Sequence, residues 1–183
     1  MRQVKKIIQA QIKKFSELTK QEQKLLYLAA EARLKAQAPY SHYWVGAAVL
    51  TEDGKMYKGC NVERCSYTQT THAEQNAIDT MVAEQGSTKI KIVVVVAGPE
   101  GTLIKIPPKK KGKSIKAIDE RICVPCGHCL QIVWENCMVD PKVKLIGLAD
   151  NGEITSTTIG DAFPMRFGPE SLKIDYRKNK KLE

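Results

Sequence analysis

The sequence predicts an α/β layered fold with a mixed sheet. Three observations carry that prediction. The run "IVVVVAG" (Ile92–Gly98) is apolar on both faces, as a strand inside a sheet must be. Two alternating segments, "SHYWVGAAVL" and "KMYKGCNVE", flank the turn signal "TEDG" and make an antiparallel hairpin. Around these strands lie stretches of helical periodicity with defined start and stop residues.

At the N-terminus, Val4, Ile7, Ile8, Ile12 and Phe15 recur at helical spacing with Lys5, Lys6, Lys13 and Lys14 between them. This predicts an amphipathic helical extension over residues 1–17, packed on the domain or on another subunit. Thr19 and Glu22 form a capping-box pattern that opens a second helix, which must end before Pro39. The hairpin comes next, then the loop "RCSYTQT". From Thr71 to about Gln85 the spacing of Ala77, Ile78, Met81 and Val82 is helical, with Gly86 as the stop. "KIKIVVVVAG" then takes a central place in the sheet. Residues 99–121 are rich in Pro, Gly and Lys and read as an inserted loop or flap. A helix opens near Cys126 and runs to about Asn136, and "VKLIGLADNGEITSTTIG" supplies one or two more strands around an Asn-Gly turn. Residues 173–183 form a basic, solvated tail. The main domain thus spans 18–172.

A chain of 183 residues with 43% apolar side chains forms one globular domain with a substantial core. No apolar run approaches the ~20 residues needed to span a bilayer. The N-terminus lacks the continuous apolar stretch and cleavage site of a signal peptide, so the cytoplasm is the expected compartment. There, the six cysteines point to metal binding or catalysis rather than to disulfides. The net charge of +9 is unevenly placed: residues 1–20 carry +5, 101–121 carry +5 and 171–183 carry +3, leaving the rest at −4. Basic appendages on a slightly acidic body argue against nucleic acid as the partner, because a polyanion site gathers its lysines around the cleft.

"VPCGHCLQ" (124–131) places Cys126 and Cys129 one turn apart at a helix start, so that both sulfurs point one way. Unpaired N–H groups and the helix dipole favour the thiolates a metal needs. "THAEQ" (71–75) offers His72 at another helix start, with Glu74 two residues on. Zinc held by His72, Cys126 and Cys129 would keep its fourth tetrahedral position open for water, the arrangement of a catalytic site. Glu74 would accept and deliver the proton without binding the metal.

"HAE" followed by "PCGHC" matches the H-x-E…P-C-x-x-C signature of the zinc deaminases. "APYSHYWVGAAVL", "GCNVERCSY" and "FGPESL" resemble the "PYS-x-F-x-VGAA", "GCN-x-E-x-x-SY" and "FGP-x-x-L" segments of the cytidine deaminases that act on free nucleosides. The resemblance runs from about Leu18 to Leu172, with the motifs in the family's order. It implies a three-layer sandwich with a mixed central sheet of about five strands flanked by helices. It also implies Zn²⁺ as cofactor and hydrolysis of cytidine and 2′-deoxycytidine to the uridines, with release of ammonia, in pyrimidine salvage. Carried over, Asn61 and Glu63 bind the ribose hydroxyls and the backbone near Ala73 reads the pyrimidine edge. Tyr43 stands where the family has a phenylalanine beside the base. Phe167 matches an aromatic that reaches a neighbouring subunit's site, and Cys65, Ser66 and Tyr67 match a segment that does likewise. A homo-oligomer follows, with a tetramer favoured over a dimer. Gln75 replaces the arginine of three-thiolate members, which a neutral imidazole ligand makes unnecessary.

Other readings remain beside this one. Tyr43, Leu130 in place of a family arginine, and the 99–121 insertion suggest a deaminase of a modified cytosine nucleoside or a cytosine-containing antibiotic. The charge alone suggests a nucleic-acid-binding or editing protein, and "KKKGK" (109–113) is the segment that would serve it. Recruiting Cys60 and Cys65 would give a closed structural zinc and a binding module without chemistry.

Overall fold

The apolar run that the sequence places centrally lies in the middle of a six-stranded sheet. A computed structural model of the chain describes residues 3, 5–108 and 123–175. Its strands are β1 (Ala10–Lys13), β2 (Tyr43–Thr51), β3 (Met56–Cys60), β4 (Ile90–Pro99), β5 (Lys144–Ala149) and β6 (Ile154–Thr158), in the order β1-β6-β5-β4-β2-β3. β4 and β5 run parallel and every other pair is antiparallel, so the sheet is mixed.

Alternation along the strands sorts the core into two faces. Ala48, Leu50, Val94, Val96, Ile146 and Leu148 point to the side covered by α1 (Lys20–Arg33). Ala47, Val49, Val93, Val95 and Leu145 point to the side covered by α2 (Ala73–Gln85) and α3 (Gly127–Asn136). A short α4 (Ile159–Ala162) closes that side. Each long helix shows why it sits there: α1 buries Leu25, Leu26, Ala29 and Ala32, and α3 buries Leu130, Val133 and Trp134, single stripes at helical spacing. Fully burying one such aliphatic side chain is worth about 1.5–3 kcal/mol.

The expected caps are in place. Glu22 N donates to Thr19 Oγ1 at 3.3 Å and Thr19 N donates to Glu22 Oε2 at 2.8 Å, completing the capping box of α1. Lys144 on β5 also pairs with the buried Glu22 carboxylate, tying helix to sheet. α2 ends at Gly86.

The N-terminal segment departs from the expected helix over 1–17. Ala10–Lys13 form an edge strand antiparallel to β6, with Ala10 opposite Thr157 and Lys13 opposite Ile154, followed by a 3-10 turn at Phe15–Glu17. Without β1, the Thr- and Ser-rich β6 would leave a row of backbone groups unpaired, whereas a short helix lacking a buried face is marginal in water. The aliphatics at helical spacing have no such face: Ile7 is 84% exposed and Ile12 37%. This strand is why the sheet has six members rather than about five.

The insertion also differs at its start. Ile104 and Ile106 pack against the core beneath α1, and the Tyr27 hydroxyl donates to Ile106 O at 3.4 Å, so residues 102–108 lie along the domain instead of projecting. The rest of the insertion with "KKKGK", and the tail from 176, lie outside the described residues. Among the described residues no helix is long and apolar enough to cross a membrane.

One glycine fixes how α2 approaches the sheet. A Cβ on Gly59 of β3 would come 2.4 Å from Ala77 N and 2.8 Å from Ala73 O. Gly59→Ala is therefore expected to cost about 1–3 kcal/mol, since backbone on both sides must shift, and to lower the midpoint of chemical denaturation. An unchanged midpoint would show that α2 can ride away from β3 freely.

Candidate active site

Two helix starts meet at the rim of the sheet. His72 is the N-cap of α2 (φ −75°, ψ 155°) and Cys126 the N-cap of α3 (φ −69°, ψ 168°). Asn76 N donates to His72 O at 2.9 Å and Leu130 N to Cys126 O at 2.8 Å, so both first turns are closed and both cap residues are held. Cys126 Sγ lies 3.3 Å and Cys129 Sγ 3.4 Å from His72 Nδ1.

The chemistry of this donor set fits zinc. All three donor atoms lie within 4.8 Å of one another. One ion bonded at about 2.1 Å to nitrogen and about 2.3 Å to sulfur would bridge the observed separations. The Cys129 thiol, pushed up by burial and then by the neighbouring Glu74 carboxylate, is the kind of group that gives up its proton only against a cation. Among the described residues this trio is the one cluster of three or more candidate ligands. Cys60 Sγ instead faces Lys35 O at 3.4 Å, so nothing supports the closed four-cysteine arrangement. His128 also stands outside the trio, with Nε2 3.4 Å from Gln75 Oε1.

His72 and Cys126 line a cavity of about 650 Å³, while Cys129 is buried. Glu74, in the first turn of α2, lines it and is only 5% exposed. Burial pushes its carboxyl above the ordinary 4.5, with its own backbone amide and Cys129 opposing. Ala73 lines the cavity beside it.

Asn61 and Glu63, just past β3, line the same cavity. Asn61 Oδ1 accepts from Val45 N and Nδ2 donates to Tyr43 O, both at 2.9 Å, so the amide takes over pairing where the β2–β3 ladder ends. Glu63 Oε2 accepts from Tyr40 N at 3.0 Å and Ser41 N at 3.1 Å, and the Ser41 hydroxyl donates to Oε1. Burial alone would raise this carboxyl, but the Ser41 hydroxyl and the two amides outweigh it and hold it below 4.5. Both side chains are thus locked in orientation, with one amide hydrogen and several carboxylate lone pairs to spare. Tyr43 also lines the cavity, and burial raises its phenol above the ordinary 10.0.

Phe167 is the expected site residue that this chain does not bring to the cavity. It is 61% exposed and lines a separate shallow depression with Lys6 and Arg166. Conversely, Ser41, Cys123 and Asp150 line the cavity without having been singled out for it. Ser41 was within reach, since it lies in the quoted "APYS". Cys123 also packs against the core, its thiol pushed up to about 12 by burial and then by Glu74. Asp150 carried no signal, because only the parallel pairing of β4 and β5 sets the end of β5 beside the end of β4.

Comparison with known proteins agrees with this geometry. A family model described as "Cytidine and deoxycytidylate deaminase zinc-binding region" matches residues 19–144. The cytidine deaminase of Sporosarcina psychrophila is 35% identical over 150 residues, covering 82% of this chain and 93% of the relative. That of Halalkalibacterium halodurans is 33% identical over 150 residues, covering 82% and 96%. The crystal structure of cytidine deaminase from Burkholderia pseudomallei superposes with a TM-score of 0.62 at 31% identity, covering 82% of this chain and 100% of that one.

Proposed function

Because this chain belongs to the family of zinc-binding cytidine and deoxycytidylate deaminases, we propose that it hydrolyses cytidine and 2′-deoxycytidine to the corresponding uridines, releasing ammonia, with Zn²⁺ held by His72, Cys126 and Cys129. The carrying observation is a trio of donors from two helix starts, two of which line a cavity together with a buried carboxylate.

Bound zinc supplies a Lewis acid that brings water toward a pKa of about 7. Glu74 does the proton work. A carboxylate taken out of water favours its neutral form, so Glu74 readily accepts a proton from water. It delivers that proton to N3 of the ring, then takes the remaining proton from the hydroxyl added at C4 and passes it to the exocyclic amine, so that C4 becomes a carbonyl as ammonia leaves. Backbone groups at Ala73 read the pyrimidine edge, and Tyr43 flanks the base. Asn61 and Glu63 hold the ribose hydroxyls through the donor and lone pairs that their internal bonds leave over.

Loss of cytidine absorbance on adding pure protein tests the reaction. A steady-state panel of cytidine, deoxycytidine, cytosine and N4-substituted cytidines sorts the substrates; activity on single-stranded oligonucleotide without activity on nucleosides would overturn the reading. Asn61→Ala is expected to raise KM for cytidine by about tenfold or more with a smaller change in kcat, since it removes binding remote from the reacting carbon. A pure kcat effect would contradict a ribose-binding role.

The catalytic domain is residues 18–172, with the N-terminal strand segment, the 99–121 insertion and the basic tail as additions. The exposed Phe167 and Tyr67 (61% and 69%) support a homo-oligomer, a tetramer by the family pattern, in which they approach a neighbour's cavity. Sedimentation velocity on the purified protein checks the subunit count. A role in pyrimidine salvage in the cytoplasm completes the reading.

A further inference from the structure

The cavity carries three acids, Glu63, Glu74 and Asp150, and among the described residues neither lysine nor arginine lines it. Two of the acids are already engaged: Glu63 receives three hydrogen bonds, and Glu74 is buried beside the metal trio. Asp150 differs from both. It is exposed and accepts no hydrogen bond from the described residues. Its charge is therefore felt in the cavity itself.

Its position is set by the surrounding backbone. Asp150 follows β5 in a tight turn closed by Gly152 N donating to Ala149 O at 3.0 Å, with Gly152 at φ 79°. The bare α-carbon of Gly98 on β4 leaves room for it: a Cβ there would come 3.2 Å from Asp150 Cβ and 3.4 Å from Arg33 Nη2. Arg33 is 2% exposed and its donors are taken by carbonyls, those of Trp44 (3.1 Å), Thr102 (3.0 Å), Gly98 (2.9 Å) and Pro99 (2.7 Å). Its guanidinium sits behind Asp150, next to Gly98, and none of these N–H groups is free to turn toward a ligand.

We propose that Asp150 is a specificity-determining residue, which makes the cavity prefer cytosine nucleosides with a neutral or cationic sugar substituent over those bearing a phosphate. The proposal rests on the nucleoside reading above and adds charge selection to it. A phosphate entering this cavity meets a carboxylate and, among the described lining residues, no cation, whereas a substrate ammonium meets an acceptor that takes no hydrogen bond from the described residues.

The test compares cytidine, 5′-amino-5′-deoxycytidine and deoxycytidine 5′-monophosphate as substrates of the full-length zinc-loaded protein, with the matching uridine products as competitive ligands. The wild type is expected to favour the amino compound over the monophosphate in kcat/KM and in product affinity. Asp150→Asn should reduce that ratio by about tenfold at low salt and change cytidine turnover by less than about threefold. Raising ionic strength should shrink the wild-type ratio and barely move that of the variant. Equal use of cytidine and its monophosphate by the wild type, or a ratio unmoved by Asp150→Asn, would overturn the assignment while leaving deamination intact. Absence of turnover on all three substrates would instead overturn the deaminase reading, and the product affinities would still decide the role of Asp150.

Discussion

Glu74→Gln is expected to lower kcat/KM for cytidine by at least about 10⁴-fold while the protein still binds one zinc per chain. The size follows from how much one carboxylate is asked to do. Positioned proton transfer contributes typically about 10²–10⁴-fold per step, and Glu74 handles the proton from water, the proton to N3 and the proton to the amine. Glutamine keeps the shape of the side chain and its place in the first turn of α2, but it cannot take up a proton. Glu74 lies outside the donor trio, so metal content should survive the change. Folding should survive too, because the substitution removes a buried ionisable group whose charged form burial disfavours. Retention of zinc together with loss of turnover separates a catalytic carboxylate from a ligand. Loss of both would make Glu74 a ligand after all, and loss of neither would leave the site without a proton carrier.

Cys126→Ala is expected to reduce bound zinc well below one per chain and to bring turnover down to background. Cys126 is the informative ligand to change because it is exposed, whereas Cys129 is fully buried in the core and its loss would also leave a cavity. Two remaining donors, one of them a thiol pushed up by burial and by Glu74, hold a divalent ion poorly. Stability should follow the metal. An ion present at about 100 times its Kd stabilises the folded state by about 2.7 kcal/mol, so chelation should lower the Tm of the wild type toward that of Cys126→Ala. It should add nothing further to the variant. A variant that keeps stoichiometric zinc, or a chelator effect equal in both proteins, would show that the ion sits elsewhere.

Much of the site was legible because its signals are local. The Cys126–Cys129 spacing, the "HAE" stretch and the Thr19–Glu22 capping box each depend on residues within one turn of helix, and each forms as read. Asn61 and Glu63 stood in a motif, but their internal duties did not: pairing with β2 at Val45 and Tyr43, and receiving the Tyr40 and Ser41 amides, need a partner some twenty residues away. The N-terminus was misread for the same reason. Val4 to Phe15 satisfy a helical spacing, yet the free edge of β6, about 145 residues later in the chain, captures Ala10–Lys13 as a strand. Phe167 matched a motif, but within this chain it stays exposed and lines a different depression.

The amino-acid order by itself determined the donors, the buried carboxylate and the helix starts that aim them, since caps, turns and periodicity are settled by neighbours within a few residues. Tertiary structure alone decided that His72 meets Cys126 and Cys129 across 54 and 57 positions, that the sheet gains a sixth strand, and that Asp150 enters the cavity wall. The physical reason is the parallel pairing of β4 with β5 and the packing of α2 against α3. Both are long-range choices made by burial and backbone hydrogen bonding, and no short stretch of sequence encodes them.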